Sequence, residues 1–283
     1  MHQKMSQLFD DETSGAIHRR EFLKQLAVLS AGTAAVYSIL PVLDAQAEII
    51  KADDPRLQTE MITYPGDSGE VQAYLAKPTG AKKLPAVIII HENRGLQPHI
   101  KDVTRRMALE GFLAIAPDAL SPVGGTPDDE DTARSKMREL DYESTKKNFV
   151  AAVQYLKTHP DSTGKVGCTG FCWGGAMTNH VAVNAPDLMA AVPYYGRQPA
   201  SEDVPRIKAA LLLHYAELDE RINAGIPEFE KALQAASIEY KIYMYKGAKH
   251  AFNNDSNPER YHQEAAELAW KRTIEFFKEK LKT

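Results

Sequence analysis

A cysteine set among glycines, Gly170-Phe171-Cys172-Trp173-Gly174, is the segment of this chain best suited to chemistry. It follows the apolar run Lys165 to Thr169 and precedes the helix-like stretch Ala176 to Asn184. A strand-to-helix turn this tight strains the backbone of its central residue and excludes neighbours whose side chains would clash. The turn holds the central side chain at a helix N-terminus, where free N–H groups favour a thiolate or a developing oxyanion. The segment therefore predicts a nucleophilic cysteine.

The alternative for Cys172 is structural, because glycine-rich turns are common and a buried cysteine is usually inert. Deciding between the two requires a base and an orienting acid, since a cysteine nucleophile gives its proton to a histidine that a carboxylate fixes in place. His250 is the best candidate base, because it lies in the loop after the predicted strand Tyr240 to Tyr245. His214, within a predicted strand, is expected to be a satisfied core residue.

The orienting acid should lie just past another strand. Asp219 meets this requirement after the predicted strand Ala209 to Tyr215, and Glu217 and Glu220 are rivals for the role. The chain order of nucleophile, acid and histidine is that of α/β-hydrolases.

In that fold the oxyanion is bound by the N–H of the residue after the nucleophile and by an N–H on the loop after an early strand. Those groups are the backbone N–H of Trp173 and that of Asn93 in His91-Glu92-Asn93-Arg94-Gly95. This loop follows the apolar run Pro85 to Ile90.

The elements that must position these residues alternate between strands and helices, which predicts one α/β domain with a mostly parallel central sheet flanked by helices on both faces. The segment Ser121 to Asp131 is rich in Pro, Gly and Asp and is expected to be a loop over the site. The predicted strands are 58–64 and 71–77 as a hairpin, 85–90, 112–116, 165–169, 188–195, 209–215 and 240–245; the predicted helices are 100–110, 142–158, 176–184 and 259–282.

Composition narrows the function classes. The chain has 283 residues, 43% hydrophobic and 25% charged, and a net charge of −4, which gives no reason to expect binding to nucleic acid. Its two cysteines are expected to be thiols, with Cys168 in the core. We expect no metal site, because His91 and Glu92 lack a third ligand at a suitable spacing.

The first 47 residues are typical of an export signal. His18-Arg19-Arg20-Glu21-Phe22-Leu23-Lys24 resembles the twin-arginine signature, a modestly apolar stretch from Leu26 to Leu43 follows, and Ala45-Gln46-Ala47 suits signal peptidase. An amphipathic helix or a membrane anchor is the alternative. We predict a signal peptide over 1–47, a linker over 48–57 and the catalytic domain over 58–283. The mature protein would reach the periplasm through the twin-arginine machinery, without stable membrane insertion.

After about residue 58 the chain resembles the dienelactone hydrolase family. The matching segments are His91 to Gly95, Ala116-Pro117-Asp118, Gly170 to Gly175, the Asp219 loop and Gly247 to Phe252. The resemblance implies Cys172 as nucleophile, His250 as base, Asp219 as acid and Glu92 as an acidic residue that modulates the thiol. It also implies hydrolysis of an ester or lactone without a cofactor.

One departure from the family bears on the substrate. Dienelactone hydrolases hold a substrate carboxylate with an arginine shortly after the histidine, where this chain reads Phe252-Asn253-Asn254-Asp255. Arg94 and Asn254 are therefore the candidate substrate-binding residues, together with Trp173. The competing function class is a protein that binds a small ligand, or senses redox state through Cys172, on the same scaffold without catalysis.

Overall fold

The computed structural model describes residues 49–282, and its sheet is built around the apolar run that follows Leu84. This run forms β3 (Leu84–Ile90), whose last five residues are all buried. Ile88 and Ile90 pack against one face of the sheet, and Val87 and Ile89 pack against the other. A strand that is apolar on both sides needs a covering layer on each face, so β3 belongs in the interior of a parallel sheet.

Within residues 49–282, eight strands form one sheet in the order β1-β2-β4-β3-β5-β6-β7-β8. The first two strands are an antiparallel hairpin, β2 is antiparallel to β4, and all other neighbours are parallel. The predicted mostly parallel sheet of an α/β-hydrolase fold is confirmed. The remaining strands are β1 (Leu57–Gly66), β2 (Gly69–Pro78), β4 (Leu113–Pro117), β5 (Ser162–Phe171), β6 (Ala190–Tyr194), β7 (Ala210–Ala216) and β8 (Tyr240–Tyr245).

Helices cover both faces of the sheet, and each face has its own apolar cluster. The helices are α1 (Pro98–Leu109), α2 (Glu130–Glu139), α3 (Tyr142–Thr158), α4 (Trp173–Asn184), α5 (Glu220–Asn223), α6 (Ile226–Ala235) and α7 (Gln263–Lys280). Phe149 of α3, Val181 of α4 and Phe229 of α6 belong to the first cluster. Val103 of α1 and Phe277 of α7 belong to the second, on the opposite face.

The structure corrects two predicted boundaries. The segment Ser121 to Asp131 is not a loop throughout, because α2 begins at Glu130, where the Asp129 side chain accepts a hydrogen bond from the Thr132 N–H at 2.8 Å. The final helix begins at Gln263 rather than at Glu259, since turns occupy the preceding residues. Helices α2, α5 and α6 were not predicted.

The segment before the hairpin is attached to helix α1. The Ile50 N–H donates to Asp102 at 2.8 Å, and the Ile50 carbonyl accepts from Arg105 at 2.6 Å. The predicted signal peptide over 1–47 lies outside the described residues. None of the helices between residues 49 and 282 combines the length and the apolar character that crossing a membrane requires.

Candidate active site

The candidate nucleophile occupies the turn between β5 and α4. Cys172 has φ 57° and ψ −110°, a conformation that residues with a Cβ rarely adopt. Its N–H donates to the Tyr194 carbonyl at 3.1 Å, which ties the turn to the end of β6. Cys172 is also the N-cap residue of α4, so its side chain lies at the N-terminus of that helix. The strained turn predicted from the sequence is present.

Glycines flank Cys172 because the backbone approaches other chain segments too closely for a side chain. A Cβ at Gly170 would lie 2.3 Å from the Gly174 carbonyl oxygen. A Cβ at Gly174 would lie 2.3 Å from the Ile90 carbonyl oxygen and 2.4 Å from that of His91. The start of α4 is thereby packed directly against the end of β3, which places the Cys172 turn beside the loop that begins at His91.

The candidate base and acid contact each other at the same edge of the sheet. His250 Nδ1 hydrogen bonds Asp219 Oδ2, and Asp219 is buried with a side-chain exposure of 7%. Two hydrogen bonds join the loops that carry them, from Leu218 N–H to the Ala248 carbonyl at 3.0 Å and from Gly247 N–H to Glu217 Oε2 at 2.8 Å. Glu217 therefore supports the histidine loop, and it is Asp219 that contacts the imidazole.

The surroundings of His250 favour its protonated form. Burial lowers the pKa of His250, but hydrogen bonds to Asp219 and Cys172 and the negative charge of both groups outweigh burial and raise it to about 9. Cys172 and His250 line the same cavity. Asp219 is bonded to Nδ1, so Nε2 is the ring nitrogen left for a partner in the cavity.

The two candidate oxyanion donors line the same cavity as Cys172 and His250. Within the described part of the chain, neither the Trp173 N–H nor the Asn93 N–H donates to a protein acceptor. Backbone N–H groups without a protein acceptor, on residues that line such a cavity, can stabilise a negative oxygen. Cys172, His250, Trp173 and Asn93 thus line one cavity, and Asp219 is bonded to His250.

A buried histidine orients one of these donors. His91 Nε2 accepts from the Ala119 N–H at 3.1 Å, so Nδ1 carries the proton and donates it to the Glu92 carbonyl at 2.6 Å. That carbonyl and the Asn93 N–H belong to one trans peptide and point in opposite directions. His91 thereby turns the Asn93 N–H away from itself. The ring also stacks on Trp173, with centroids 5.5 Å apart.

We expect the His91→Phe variant, which keeps an aromatic ring beside Trp173, to lose both hydrogen bonds and the fixed orientation of the Asn93 peptide. Its kcat should fall roughly tenfold to a hundredfold, somewhat less than the loss of an oxyanion donor outright, while KM changes little. His91→Gln, which can still donate and accept, should retain more activity. A folded His91→Phe protein with unchanged kcat would contradict this role.

Glu92, which was predicted to modulate the thiol, contacts Asn254, which was predicted to bind substrate. Asn254 Nδ2 donates to Glu92 Oε2 at 2.7 Å, which links the histidine loop to the loop after β3. Neither residue lines the cavity. Arg94 also lies outside the lining and forms an ion pair with Glu130 at the start of α2. The substrate-binding role of Arg94 and Asn254 and the modulating role of Glu92 remain predictions.

Asp255, the residue after Asn254, anchors the histidine loop to α1. Its carboxylate lies 3.0 Å from His99 Nδ1 and 2.7 Å from Arg106 Nη1. Burial raises the pKa of Asp255, but the hydrogen bonds and positive charges of these partners bring it down to about 2. The loop that carries His250 is therefore held from both sides, by Glu217 and by α1.

Other sequence expectations are confirmed. Cys168 is fully buried, burial raises the pKa of its thiol to about 12, and both cysteines of the described chain are free. His214 is a satisfied core residue that hydrogen bonds the Tyr245 hydroxyl at 2.9 Å and that of Thr273 at 3.1 Å.

The cavity also contains residues that sequence reasoning did not single out. It measures about 820 Å³, and Trp173 lines it as expected, together with Tyr142 at the start of α3. Tyr195 also lines it, with φ 38° and its ring centroid 5.1 Å from that of His250. The additional lining residues are Ala176, His180, Arg197, Gln198, Pro199, Ala200, Ser201, Glu202, Arg221, Ile222, Gly225, Glu228 and Phe229. Ala176 and His180 lie in α4, and the others follow β6 or β7 at the same sheet edge as Cys172, which was the available signal.

Among residues 49–282, no three His, Cys, Asp or Glu side chains are grouped so that they could hold a metal ion.

Comparison with known proteins gives a consistent result. The sequence profile of the Dienelactone hydrolase family matches residues 71–281. The chain is 34% identical to Protein usf of Aquifex pyrophilus over 78% of this chain and 99% of that protein. It is 32% identical to a protein of Escherichia coli strain K12 named "Putative carboxymethylenebutenolidase", over 82% of this chain and 90% of that protein. A crystal structure of a "Putative Dienelactone Hydrolase" from Klebsiella pneumoniae superposes with a TM-score of 0.71 at 29% identity, covering 78% of this chain and 98% of that one.

Proposed function

This chain belongs to the dienelactone hydrolase family and is a dienelactone hydrolase-like hydrolase, and from that premise we propose that it cleaves a carboxylic ester or lactone through an acyl-enzyme on Cys172. The carboxymethylenebutenolidase named in its relatives is an enzyme of this reaction type. Glu92 is proposed to modulate the thiol, and no cofactor takes part in the proposed steps.

One observation carries the proposal. Cys172 lies at a strained turn at the N-terminus of α4 and lines the same cavity as His250, whose Nδ1 is bonded to Asp219. A strained backbone costs free energy, so its occurrence beside a raised histidine pKa favours a catalytic over a packing role.

In the acylation step, the Cys172 sulfur forms a bond to the substrate carbonyl carbon. The carbonyl oxygen becomes negative and is bound by the N–H groups of Trp173 and Asn93. When the tetrahedral species collapses, the carbon–oxygen bond to the alcohol breaks, and the His250 imidazolium gives its proton to the departing oxygen. The products of this half-reaction are a thioester on Cys172 and a free alcohol, which for a lactone remains part of the same molecule.

In the deacylation step, the now neutral His250 takes a proton from water, whose oxygen attacks the thioester carbon. The carbon–sulfur bond breaks, the carboxylic acid leaves, and the thiolate–imidazolium pair is restored. A thiolate is itself a good leaving group, so a substrate with a poor leaving group such as an amine would return to reactants. Activated esters, lactones and thioesters are therefore better substrates than peptides.

The experiment mixes the full chain with an activated aryl ester and records aryl alcohol release on the millisecond scale. We expect a burst close to one equivalent, and mass spectrometry of the acid-quenched protein should find the acyl group on the peptide that contains Cys172. Turnover with the acyl group on another residue would contradict the mechanism. Binding without any turnover would favour the non-catalytic ligand-binding alternative, and reversible oxidation of Cys172 alone would favour a redox sensor.

The raised pKa of His250 predicts a decline of activity at high pH. The imidazolium must protonate the leaving oxygen, so kcat/KM for an alkyl ester should fall as pH rises through about 9. An aryl ester, whose leaving group departs without a proton, should show a smaller decline at the same pH. Equal pH profiles for the two esters above pH 9 would contradict the proton-donor role.

The raised pKa of His250 also predicts a loss of folding stability at high pH. The folded-state pKa of about 9 lies above the unfolded value of about 6.5. Protonated His250 therefore contributes its full stabilisation below about pH 6.5, and that contribution is lost as pH rises through about 9. Urea unfolding of wild type and His250→Asn should show a difference in unfolding free energy that narrows over this range. A difference that does not change with pH would contradict the assignment.

We also propose export to the periplasm, on the motif evidence of residues 1–47 alone. Replacing Arg19 and Arg20 together with lysine should retain the precursor in the cytoplasm, because the twin-arginine machinery reads that pair. Fractionation followed by immunoblotting measures the outcome. Arrival of the Lys-Lys variant in the periplasm by the twin-arginine route would refute the proposal.

A further inference from the structure

A buried polar network joins three strands of the sheet to the final helix and takes no part in the proposed reaction steps. Its members are Tyr194 of β6, His214 of β7, Tyr245 of β8 and Thr273 of α7. The first, second and fourth are fully buried, and Tyr245 is 4% exposed. None of the four lines the cavity beside the nucleophile, so none can contact a substrate there.

The Thr273 hydroxyl is the centre of this network, and its contacts determine where its proton lies. It donates to the Ala269 carbonyl at 2.9 Å, one turn earlier in α7. A hydroxyl has one proton and two lone pairs. The Tyr194 hydroxyl, at 2.6 Å, and His214 Nε2, at 3.1 Å, therefore both donate to the Thr273 oxygen. Removal of this one hydroxyl would leave two buried donors without their acceptor.

The proton on His214 Nε2 fixes the remaining directions. Burial, together with the positive charge of Arg272, lowers the pKa of His214 to about 3, so the ring is neutral and Nδ1 is an acceptor. The Tyr245 hydroxyl therefore donates to Nδ1 at 2.9 Å, and its oxygen accepts from Arg272 Nη1 at 3.2 Å. Only this arrangement gives each contact of the network one donor and one acceptor.

Tyr194 connects the network to the nucleophile. Its backbone carbonyl accepts the Cys172 N–H at 3.1 Å, so the end of β6 fixes the position of the strained turn. Tyr194 pairs with His214 of β7, but the preceding residue, Pro193, has no N–H and does not pair with that strand. The shared contact of the Tyr194 and His214 side chains with Thr273 therefore reinforces the sheet where its backbone ladder is interrupted.

Tyr245 connects the network to the acid and the base. Its backbone carbonyl accepts the Glu217 N–H at 3.1 Å and the Ala248 N–H at 3.3 Å. Glu217 lies two residues before Asp219, and Ala248 lies two residues before His250. One carbonyl thus holds both loops, and the hydroxyl of the same residue is held by the network.

From these contacts we propose that Thr273 and His214 are positioning residues, which set the place of the Cys172 turn relative to His250. This inference rests on the proposed ester hydrolysis and concerns residues that do not line its cavity. Their effect passes through the two tyrosines of the network, whose carbonyls hold the nucleophile on one side and the acid and base loops on the other. A misplacement of about 1 Å between reacting groups can lower a rate roughly a hundredfold, even when the mutation is far from the chemistry.

The test compares two variants of Thr273 in the full chain. Thr273→Val removes the hydroxyl and keeps the volume of the side chain. We expect its burst rate constant with saturating 4-nitrophenyl acetate to fall roughly tenfold to a hundredfold. The half-saturating ester concentration should change little, because the cavity lining is intact. Thr273→Ser keeps the hydroxyl and loses a methyl group, so its burst rate constant should stay within about threefold of wild type.

Ile274→Ala is the matched control for lost stability. Ile274 is the next residue of α7, is buried in the apolar cluster on that face of the sheet and has no polar side-chain atom. Its replacement should lower the urea midpoint and leave the burst rate constant of the folded protein unchanged. If Thr273→Val does not fold, Tyr245→Phe, which removes only the outer hydroxyl of the network, should lower the rate constant roughly threefold to tenfold. A wild-type rate constant in folded Thr273→Val or Tyr245→Phe, or an equal loss in Ile274→Ala, would overturn the proposal.

Alkylation by iodoacetamide separates this inference from the proposed reaction. The Cys172 thiolate sulfur forms a bond to the methylene carbon and iodide leaves, so no ester chemistry is needed. A well-placed imidazolium favours the thiolate, and the alkylation rate should therefore fall roughly tenfold in Thr273→Val and persist in Thr273→Ser. Fragment mass spectra distinguish Cys172 from Cys168.

The two measurements together assign a failure to one proposal or the other. If wild type hydrolyses the ester through Cys172 and the Thr273 variants do not differ from it, the positioning role is wrong and the hydrolase stands. If no ester is hydrolysed but alkylation of Cys172 depends on the Thr273 hydroxyl, the proposed reaction is wrong and the positioning role stands. Alkylation that is independent of this hydroxyl contradicts the positioning role in either case.

Discussion

Replacement of Cys172 with alanine should abolish the burst and lower kcat by roughly 10⁴-fold or more, the scale of loss when a nucleophile is removed from a catalytic triad. The alanine variant retains the cavity and the two oxyanion donors, so it should still bind ester. Cys172→Ser keeps a nucleophile of similar shape, but a hydroxyl is much harder to deprotonate than a thiol, and most of the activity should be lost as well. Stopped-flow release of 4-nitrophenol measures both variants.

The chain offers a matched control for this experiment. Cys168 lies four residues earlier in the same strand–turn unit, is fully buried and contacts the Thr178 hydroxyl at 3.8 Å. Cys168→Ala should cost some stability through lost packing and leave the burst amplitude unchanged. Equal turnover by Cys172→Ala and wild type would remove the covalent mechanism, whereas equal damage from both variants would indicate a folding effect.

Replacement of Asp219 with asparagine should lower kcat by about 10⁴-fold with the fold intact, since an amide at this position stabilises the wrong tautomer. The asparagine NH₂ would donate to His250 Nδ1, which leaves the proton on Nε2, the nitrogen that must accept from Cys172. The pKa of His250 should also fall, because the negative charge beside it is gone. Steady-state kinetics and NMR titration of His250 measure the two effects separately.

Glu217→Gln is the control for the acid assignment. The glutamine carbonyl can still accept the hydrogen bond that Glu217 takes from the Gly247 N–H, so the histidine loop should remain in place and activity should fall only slightly. If Glu217→Gln removes the activity and Asp219→Asn does not, Glu217 is the acid and the contact seen between Asp219 and His250 is not the productive one.

The sequence was sufficient to predict that Cys172, His250 and the loop of Asp219 meet, because topology brings them together, but it left Glu217 and Glu220 open as rivals to Asp219. Each follows a strand of the parallel run, and the carboxyl ends of parallel strands meet at one edge of a sheet. The β3 run was equally clear, since seven residues without an exposed polar position fit only a strand covered on both faces.

Side-chain partners between distant loops were beyond sequence reasoning. Arg94 was a candidate for binding substrate, but it pairs with Glu130. This ion pair could not be foreseen, because α2 was not predicted. Asn254 likewise contacts Glu92, which is 162 positions away. Such pairings depend on how the loops fold over the sheet, which neither periodicity nor spacing encodes.

Helix α6 and the role of His91 had weaker signals in the sequence. Helix α6 places Ile226, Phe229 and Leu233 on one side, at intervals of three and four residues, which is helical spacing. Its N-cap residue Gly225 makes no side-chain hydrogen bond, so Pro227 and Glu228 in the first turn were the signals of its start. His91 was considered and rejected as a metal ligand and otherwise counted only as part of the loop after β3, because its hydrogen bonds to Ala119 and Glu92 cannot be read from the sequence.

Strand β8 is an edge strand that pairs only with β7, and His250 lies in the loop that follows it. Local opening of an edge strand costs less free energy than opening of a central strand. The Cys172 turn follows β5, which is a central strand. If β8 separated from β7, most of the fold would remain. His250 would move away from Cys172, which would then lack its proposed proton acceptor. Activity should therefore be lost at a lower denaturant concentration than the one that unfolds the whole protein. It should return when the denaturant is diluted and β8 pairs with β7 again.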